Sequence, residues 1–183
     1  AYRKSIFKEE WRGRYAVTHV HFRLSATFRP NLDYGGIREA LSAEGIRPEK
    51  VTAQDLRRVV IAIRKAKLPD PKVQGNAGSF FMNPVVSREV YEAIKGDYPD
   101  VPHYEVDAER VKIPAGWLIE RGGWRGRSLG RAAVHDRQAL VLVNKGGATG
   151  RDILALCEAV RADVLSRFGI SISPEVNIIG GCA

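Results

Sequence analysis

Residues 14–24 alternate strictly. Ala16, Thr18, Val20, Phe22 and Leu24 stand against Tyr15, Val17, His19, His21 and Arg23, a period of two that predicts a strand. Residues 25–36 then read as a loop ending in Asn31-Leu32-Asp33-Tyr34-Gly35-Gly36. The period changes to helical after Thr52. Leu56, Val59, Val60 and Ile63 form one apolar stripe. Thr52 is placed to cap that helix, with Asp55 at the third position as a weaker capping box. Pro69 forbids continuation, so the helix must end near Leu68. Ser87 caps a second helix, with Val90, Tyr91 and Ile94 expected inward and Gly96 expected at its end. After a proline-rich turn, residues 104–113 are strand-like and residues 115–121 a short helix. Residues 139–143 are continuously apolar, as in a fully buried strand. Thr149 caps the longest predicted helix, with Ile153, Leu156, Cys157, Val160 and Val164 inward and Gly169 as its stop. The chain closes on an extended stretch, residues 174–180. There is no internal repeat. Mixed helices and strands of this kind place the chain in the α+β class.

The most informative segment is residues 67–84, Lys67-Leu-Pro-Asp-Pro-Lys72-Val-Gln-Gly75-Asn76-Ala-Gly78-Ser79-Phe80-Phe81-Met-Asn83-Pro84. Its prolines and glycines impose an unusual backbone path. Ser79 follows a glycine directly, where a loop meets a strand. Two consecutive phenylalanines after it imply a packed element that holds the polar loop in place. A tight turn before a core strand is the plainer reading, but the order and number of special residues favour a ligand site.

Composition narrows the class. The 183 residues suffice for a real core, and the 44% apolar fraction is that of an ordinary folded protein. No apolar run is long enough to span a bilayer. Two cysteines, Cys157 and Cys182, make no disulfide framework and point to a reducing cytoplasm. Cys157 falls on an apolar helix face, as a buried hydrophobe would. The chain opens on Ala-Tyr-Arg without an initiator methionine, so a fragment is expected, with any amino-terminal targeting signal out of sight.

The net charge of +8 and pI near 9.7 attract anions of any kind. Arg121-Gly-Gly-Trp124-Arg125-Gly-Arg127 has the look of an arginine-glycine RNA-binding tract with an aromatic for stacking. It reads better as a helix end followed by a turn, with Gly122 in the left-handed position. His19 and His21 share a strand face, but no third ligand stands nearby, which disfavours a metal site. Glu175 enters a run of apolar residues after a proline. A carboxylate there is expensive unless paired or functional, although a wet rim position would explain it equally.

Several blocks occur in a fixed order: Tyr2-Arg3-Lys4-Ser5-Ile6-Phe7-Lys8, Leu32-Asp33-Tyr34-Gly35, Lys67-Leu68-Pro69-Asp70-Pro71-Lys72, Gly75-Asn76-Ala77-Gly78-Ser79-Phe80-Phe81, Asn83-Pro84, Ala115-Gly116-Trp117-Leu118-Ile119, Ala133-Val134-His135, Gln138-Ala139-Leu140-Val141 and Pro174-Glu175-Val176. With them the chain closely resembles, from end to end, the carboxy-terminal part of the UDP-N-acetylenolpyruvoylglucosamine reductase (MurB) family. The loop at residues 31–36 resembles the form of that family in which a tyrosine loop closes over the substrate.

The resemblance implies a fold of a substrate-binding domain, residues 68–168, flanked by the carboxy-terminal portion of an FAD-binding region, residues 1–67, and a return strand, residues 169–183, carrying Glu175. It implies FAD and NADPH as cofactors, with FAD bound mainly by an amino-terminal part absent here. It implies UDP-N-acetylglucosamine enolpyruvate as substrate, peptidoglycan synthesis as the purpose and the cytoplasm as the location. It also implies that the chain alone is inactive, and that neither nucleic acid nor membrane is a partner. Carried over by position, Ser79 is the proton donor, Arg3 and Glu175 are the other catalytic groups, and Tyr34, Lys67, Asn83 and Gln138 contact the UDP-sugar.

Those residue types suit the chemistry. A fixed guanidinium such as Arg3 can hold the charge that develops beside the substrate carboxylate. A serine hydroxyl is a weak acid, yet serves when held within about 3 Å of a strongly basic carbon. Glu175 either donates a hydrogen bond, if burial raises its pKa, or orients other groups as the anion. Tyr34 on a loop and Lys67 at a helix end suit a clamp on uracil or diphosphate.

Overall fold

The computed structural model describes residues 5–180, so Arg3 and Cys182 lie outside the described residues. The chain divides into two compact units, Ala1–Arg57 and Arg58–Ala183.

In the first unit, Ser5 caps a short 3-10 turn at Ile6–Lys8. The strand expected over residues 14–24 does not form: the segment joins no ladder among the described residues. Alternation makes a segment fit to be a strand, yet a strand exists only when a neighbour takes up its N–H and C=O groups. Apolar side chains of both alternating sets are exposed, Val17 at 57% and Leu24 at 83%. Helix α1 (Ile37–Ala43) turns Ile37 and Leu41 inward. The sequence reading has no counterpart for it, and its N-cap, Gly36, offers no capping side chain to mark its start.

Helix α2 (Ala53–Lys67) begins as expected. The Thr52 amide donates to Asp55 Oδ2 at 3.1 Å, and the Asp55 amide donates back to Thr52 Oγ1 at 3.2 Å. Of its predicted stripe only Val59 is fully buried. The boundary between the units falls within this helix.

The second unit is an α+β arrangement of two antiparallel sheets and three further helices. One sheet has the order β1-β7-β6-β5, with β1 Asn76–Ser79, β5 Ser128–Leu129, β6 Ala132–Val134 and β7 Val141–Asn144. The other has the order β2-β4-β3, with β2 Val85–Ser87, β3 Tyr104–Glu105 and β4 Arg110–Lys112. Helix α3 (Arg88–Asp97) starts at the Ser87 cap, whose Oγ accepts from the Val90 amide. It buries Tyr91 and Ile94, but Val90 stays exposed and the helix continues past Gly96, which has an ordinary negative φ. Val90 lies in the capping turn, with its amide bonded to Ser87 Oγ.

Helix α4 (Ala115–Arg121) matches its expected range. Helix α5 (Gly150–Phe168) has a full capping box between Thr149 and Asp152 and stops at Gly169 in the left-handed conformation, φ 65°. It packs on α4 and across β5, β6 and β7. Leu156, Cys157, Val160 and Val164 are fully enclosed there, with Leu118, Leu142, Val111, Ile113 and Phe81. Each such side chain contributes roughly 1.5–3 kcal/mol of burial. Among the described residues no helix is long and apolar enough to cross a membrane.

Candidate functional site

Ser79 ends β1, and the strand is irregular where it arrives. Asn76 pairs with Val143 and Ser79 with Val141, so three steps along β1 match two along β7. The extra residue is accommodated at Gly78, whose φ of 71° lies in the left-handed region, the signature of a glycine bulge. An L side chain would be strained there by the backbone, although nothing lies within 4 Å of its Cβ position. The bulge turns Ser79 outward, where it is exposed, while Phe80 and Phe81 behind it are 3% and 1% exposed. The paired phenylalanines thus anchor the serine, as their order in the sequence suggests.

Phe80 is a junction. Its amide donates to the Leu140 carbonyl at 2.7 Å, and its carbonyl accepts from the Glu175 amide at 2.8 Å. The Met82 amide donates to Ser173 at 2.9 Å, and Phe81 forms an isolated bridge with Pro174. The expected closing strand is therefore a single bridge flanked by two hydrogen bonds. It is enough to set the half-buried Glu175 beside the residue that follows Ser79.

Asn83 lies four residues after Ser79. Its Oδ1 accepts from the Ala115 amide at 3.0 Å, capping α4 from outside, since the helix has no side-chain cap of its own. Gln138 faces the same helix. A Cβ on Gly116 would meet Leu140 Cγ at 3.3 Å and Gln138 Oε1 at 3.7 Å. That oxygen accepts from the Leu140 amide at 3.4 Å, the residue whose carbonyl holds Phe80. Ser79, Asn83, Gln138 and Glu175 are thus gathered around one short run of backbone.

Lys67 is the exposed last residue of α2. Arg137 joins that helix end to the Gln138 loop, donating to the Ala66 carbonyl at 2.9 Å. Between these elements opens a cleft of about 760 Å³, with Arg64, Lys65 and Arg137 as its cations and Leu68, Pro69 and Pro71 as an apolar wall. Asn76, Gly78 and the buried His135 also line it. Sequence reading missed Arg137, for which no local signal exists, and it missed the bonds of Asn76, for which the spacing Asn76-Ala77-Gly78 is a signal of a side-chain-closed turn.

Tyr34 belongs to the first unit and is 80% exposed. In its loop the Asp33 amide donates to Asn31 Oδ1, Arg38 pairs with Asp33, and Gly35 and Gly36 are both left-handed. His19 and His21 are exposed, and among the described residues no group of three or more His, Cys, Asp or Glu is placed to hold a metal. Cys157 is enclosed, and burial pushes its thiol up to about 11, as suits a packing residue.

The arginine-glycine tract forms a turn, with one correction. Gly122 has φ −68° and the left-handed residue is Gly123, at 76°. A side chain on Gly122 would meet Asp163 Oδ2 at 2.9 Å, and that carboxylate would have to shift to admit it. Arg121 pairs with Asp100 and Arg125 with Glu120. Trp124 is 6% exposed and donates to Asp163. With its aromatic buried and these charges paired, the tract offers no stacking platform, and nothing supports the RNA-binding alternative.

A family model described as UDP-N-acetylenolpyruvoylglucosamine reductase, C-terminal domain, matches residues 70–179. The UDP-N-acetylenolpyruvoylglucosamine reductase of Bacteroides fragilis is 58% identical over 179 residues, covering 98% of this chain and 53% of that protein. That of Burkholderia cenocepacia is 54% identical over 174 residues, covering 95% and 50%, and that of Burkholderia ambifaria is 53% identical over 174 residues. The chain spans about half the length of the curated relatives it matches. On this match, and with its α+β fold, the chain belongs to the UDP-N-acetylenolpyruvoylglucosamine reductase family, of which it is a C-terminal part.

Proposed function

We propose that this chain supplies the substrate-binding and protonating half of a reductase that converts UDP-N-acetylglucosamine enolpyruvate to UDP-N-acetylmuramate for peptidoglycan. The reaction adds a hydride to one carbon of the enol ether double bond and a proton to the other, with NADPH as the two-electron donor. The flavin, when bound, supplies the hydride-transfer chemistry. Three cations beside an apolar wall in the cleft at Arg64, Lys65 and Arg137 suit the electron-rich edge of such a group, and the greater part of its site is assigned to the amino-terminal half. The reading carries a cytoplasmic location with it.

Ser79 holds the proton to be delivered. Glu175 acts beside it, and Arg3 holds the charge that develops on the substrate carboxylate. Lys67 and Tyr34 clamp the nucleotide diphosphate end, and Asn83 and Gln138 contact the sugar-nucleotide. In domain terms, residues 68–168 bind substrate, residues 1–67 complete the flavin region, and residues 169–183 bring Glu175 back.

The supporting observation is the exposed hydroxyl of Ser79 on a glycine bulge, with the Glu175 backbone bonded to the next residue at 2.8 Å. The test uses the full-length protein that carries this chain. It should be yellow and consume NADPH only when the enolpyruvyl nucleotide is added. Ser79→Ala should keep nucleotide affinity and lose most turnover, whereas Lys67→Ala should chiefly weaken affinity. The 183 residues alone should bind little flavin and not turn over. Full turnover by Ser79→Ala would remove the serine from its role.

A further inference from the structure

We infer that Asn76 is the positioning residue for Ser79, the group that fixes the bulge and thereby where the hydroxyl stands. The inference rests on the reductase reading and goes beyond it, because it names what holds the proton donor in place.

Ser79 is exposed and carries a small side chain. Packing does not lock such a hydroxyl, so its position follows from the backbone that bears it. That backbone is the least regular part of β1, with an extra residue between Asn76 and Ser79 and a left-handed Gly78. Left to itself, a glycine bulge can relax through several backbone states, because glycine resists few of them. One side chain limits that freedom. Asn76 Oδ1 accepts from the Gly78 amide at 3.0 Å, and this bond sets the plane of the peptide entering Gly78.

The other end of the same amide is anchored. Asn76 Nδ2 donates to the Gln74 carbonyl at 2.9 Å and lies 3.5 Å from the Pro69 carbonyl. Its orientation is forced, since only the oxygen can receive an N–H and only the nitrogen can serve two carbonyls. The anchor is stiff. Two prolines bracket Asp70, whose carbonyl accepts from the Val73 and Gln74 amides at 2.9 and 2.8 Å, and whose side chain accepts from the Lys72 amide at 2.9 Å. This turn follows directly on Lys67. Asn76 therefore ties the bulge of the proton donor to the turn behind the diphosphate-clamping lysine, so that the two are held at one spacing.

The test compares half-reactions in the full-length, flavin-loaded protein by stopped flow. Asn76→Ala should slow reoxidation by the enolpyruvyl nucleotide ~100-fold, the loss expected of a reacting group displaced by about 1 Å, and should do so far more than it alters flavin reduction by NADPH. Substrate affinity should stay within about twofold, and the solvent deuterium isotope effect on reoxidation should rise. Amide exchange at Gly78 should accelerate, a readout that needs no turnover. Asn76→Asp keeps the acceptor for the Gly78 amide but puts an oxygen where the donor to the Gln74 and Pro69 carbonyls stood, so its rate should fall between those of the parent and the alanine variant; it also serves if the alanine variant folds poorly. The double variant Asn76→Ala with Ser79→Ala should be no slower than Ser79→Ala alone, since both act on one step. Reoxidation by Asn76→Ala within about twofold of the parent, or losses that multiply in the double variant, would overturn the inference while leaving the reductase reading intact. A parent protein that the enolpyruvyl nucleotide cannot reoxidise would instead remove the reading on which it rests.

Discussion

The amide of Glu175 donates to the carbonyl of Phe80 across 2.8 Å. This bond joins the end of the chain to the residue after Ser79. Together with the Phe80–Leu140 bond it holds three distant segments around the serine, and it makes their relative placement a backbone property. Side-chain substitutions near the site should therefore alter chemistry more readily than architecture.

Gly78→Ala tests the bulge directly. Space is open around Gly78, so the penalty is conformational, about 1 kcal/mol for an alanine held at positive φ. Chemical denaturation of the full-length protein should show a loss of that size. Turnover should fall much further than stability does, as the bulge shifts to escape the strain. A variant with parental turnover would show that Ser79 tolerates a different backbone.

Asn83→Ala removes the external cap of α4. The Ala115 amide then loses its acceptor, costing about 1 kcal/mol. Asn83→Asp keeps an acceptor and should restore the stability. If Asn83 also contacts the nucleotide-sugar, titration of the aspartate variant will show weakened affinity at parental stability, because a carboxylate faces an anionic ligand without the amide's donor.

Arg137→Ala should loosen the last turn of α2. The guanidinium donates to Ala66 at 2.9 Å, where it satisfies a terminal carbonyl and offsets the negative end of the helix dipole. Without it, amide exchange over residues 64–68 should quicken. Nucleotide-sugar affinity should fall about fivefold with kcat held, since roughly 1 kcal/mol of helix-end support is lost. A fall in kcat at constant affinity would place Arg137 in the chemistry instead.

Cys157 provides a pH prediction. Burial raises its thiol from 9.0 to about 11. The folded state keeps the proton that the unfolded chain gives up. Stability from this group is therefore intact below pH 9 and lost as pH rises toward 11. Alkylation followed by peptide mapping at pH 8 should leave Cys157 unmodified in the folded protein and label it fully in denaturant. Labelling of the folded protein at that pH would mean that the core opens locally around α5.

Elements with strong local signals were legible in the sequence. Thr149 and Gly169 bound α5 as their types require, Pro69 ends α2 at Lys67, and the Ala115–Arg121 helix matches residue for residue. Residues 14–24 misled because alternation reports compatibility with a ladder and says nothing of whether one is present. Gly122 misled because two adjacent glycines leave open which one takes the positive φ. The cluster of Ser79, Asn83, Gln138 and Glu175 was legible only as an ordered set of blocks. Its geometry depends on pairings between segments far apart in the chain, which no local pattern encodes.

The clip between residues 80–82 and residues 173–175 also bears on the timing of assembly. A nascent chain exposes the serine early, but the glutamate leaves the ribosome only after all of α5 has emerged. Until then the Phe80 carbonyl and the Met82 amide have no partners from that segment, and a chain stalled or cut before Ser173 would leave both bonds unmade beside the serine.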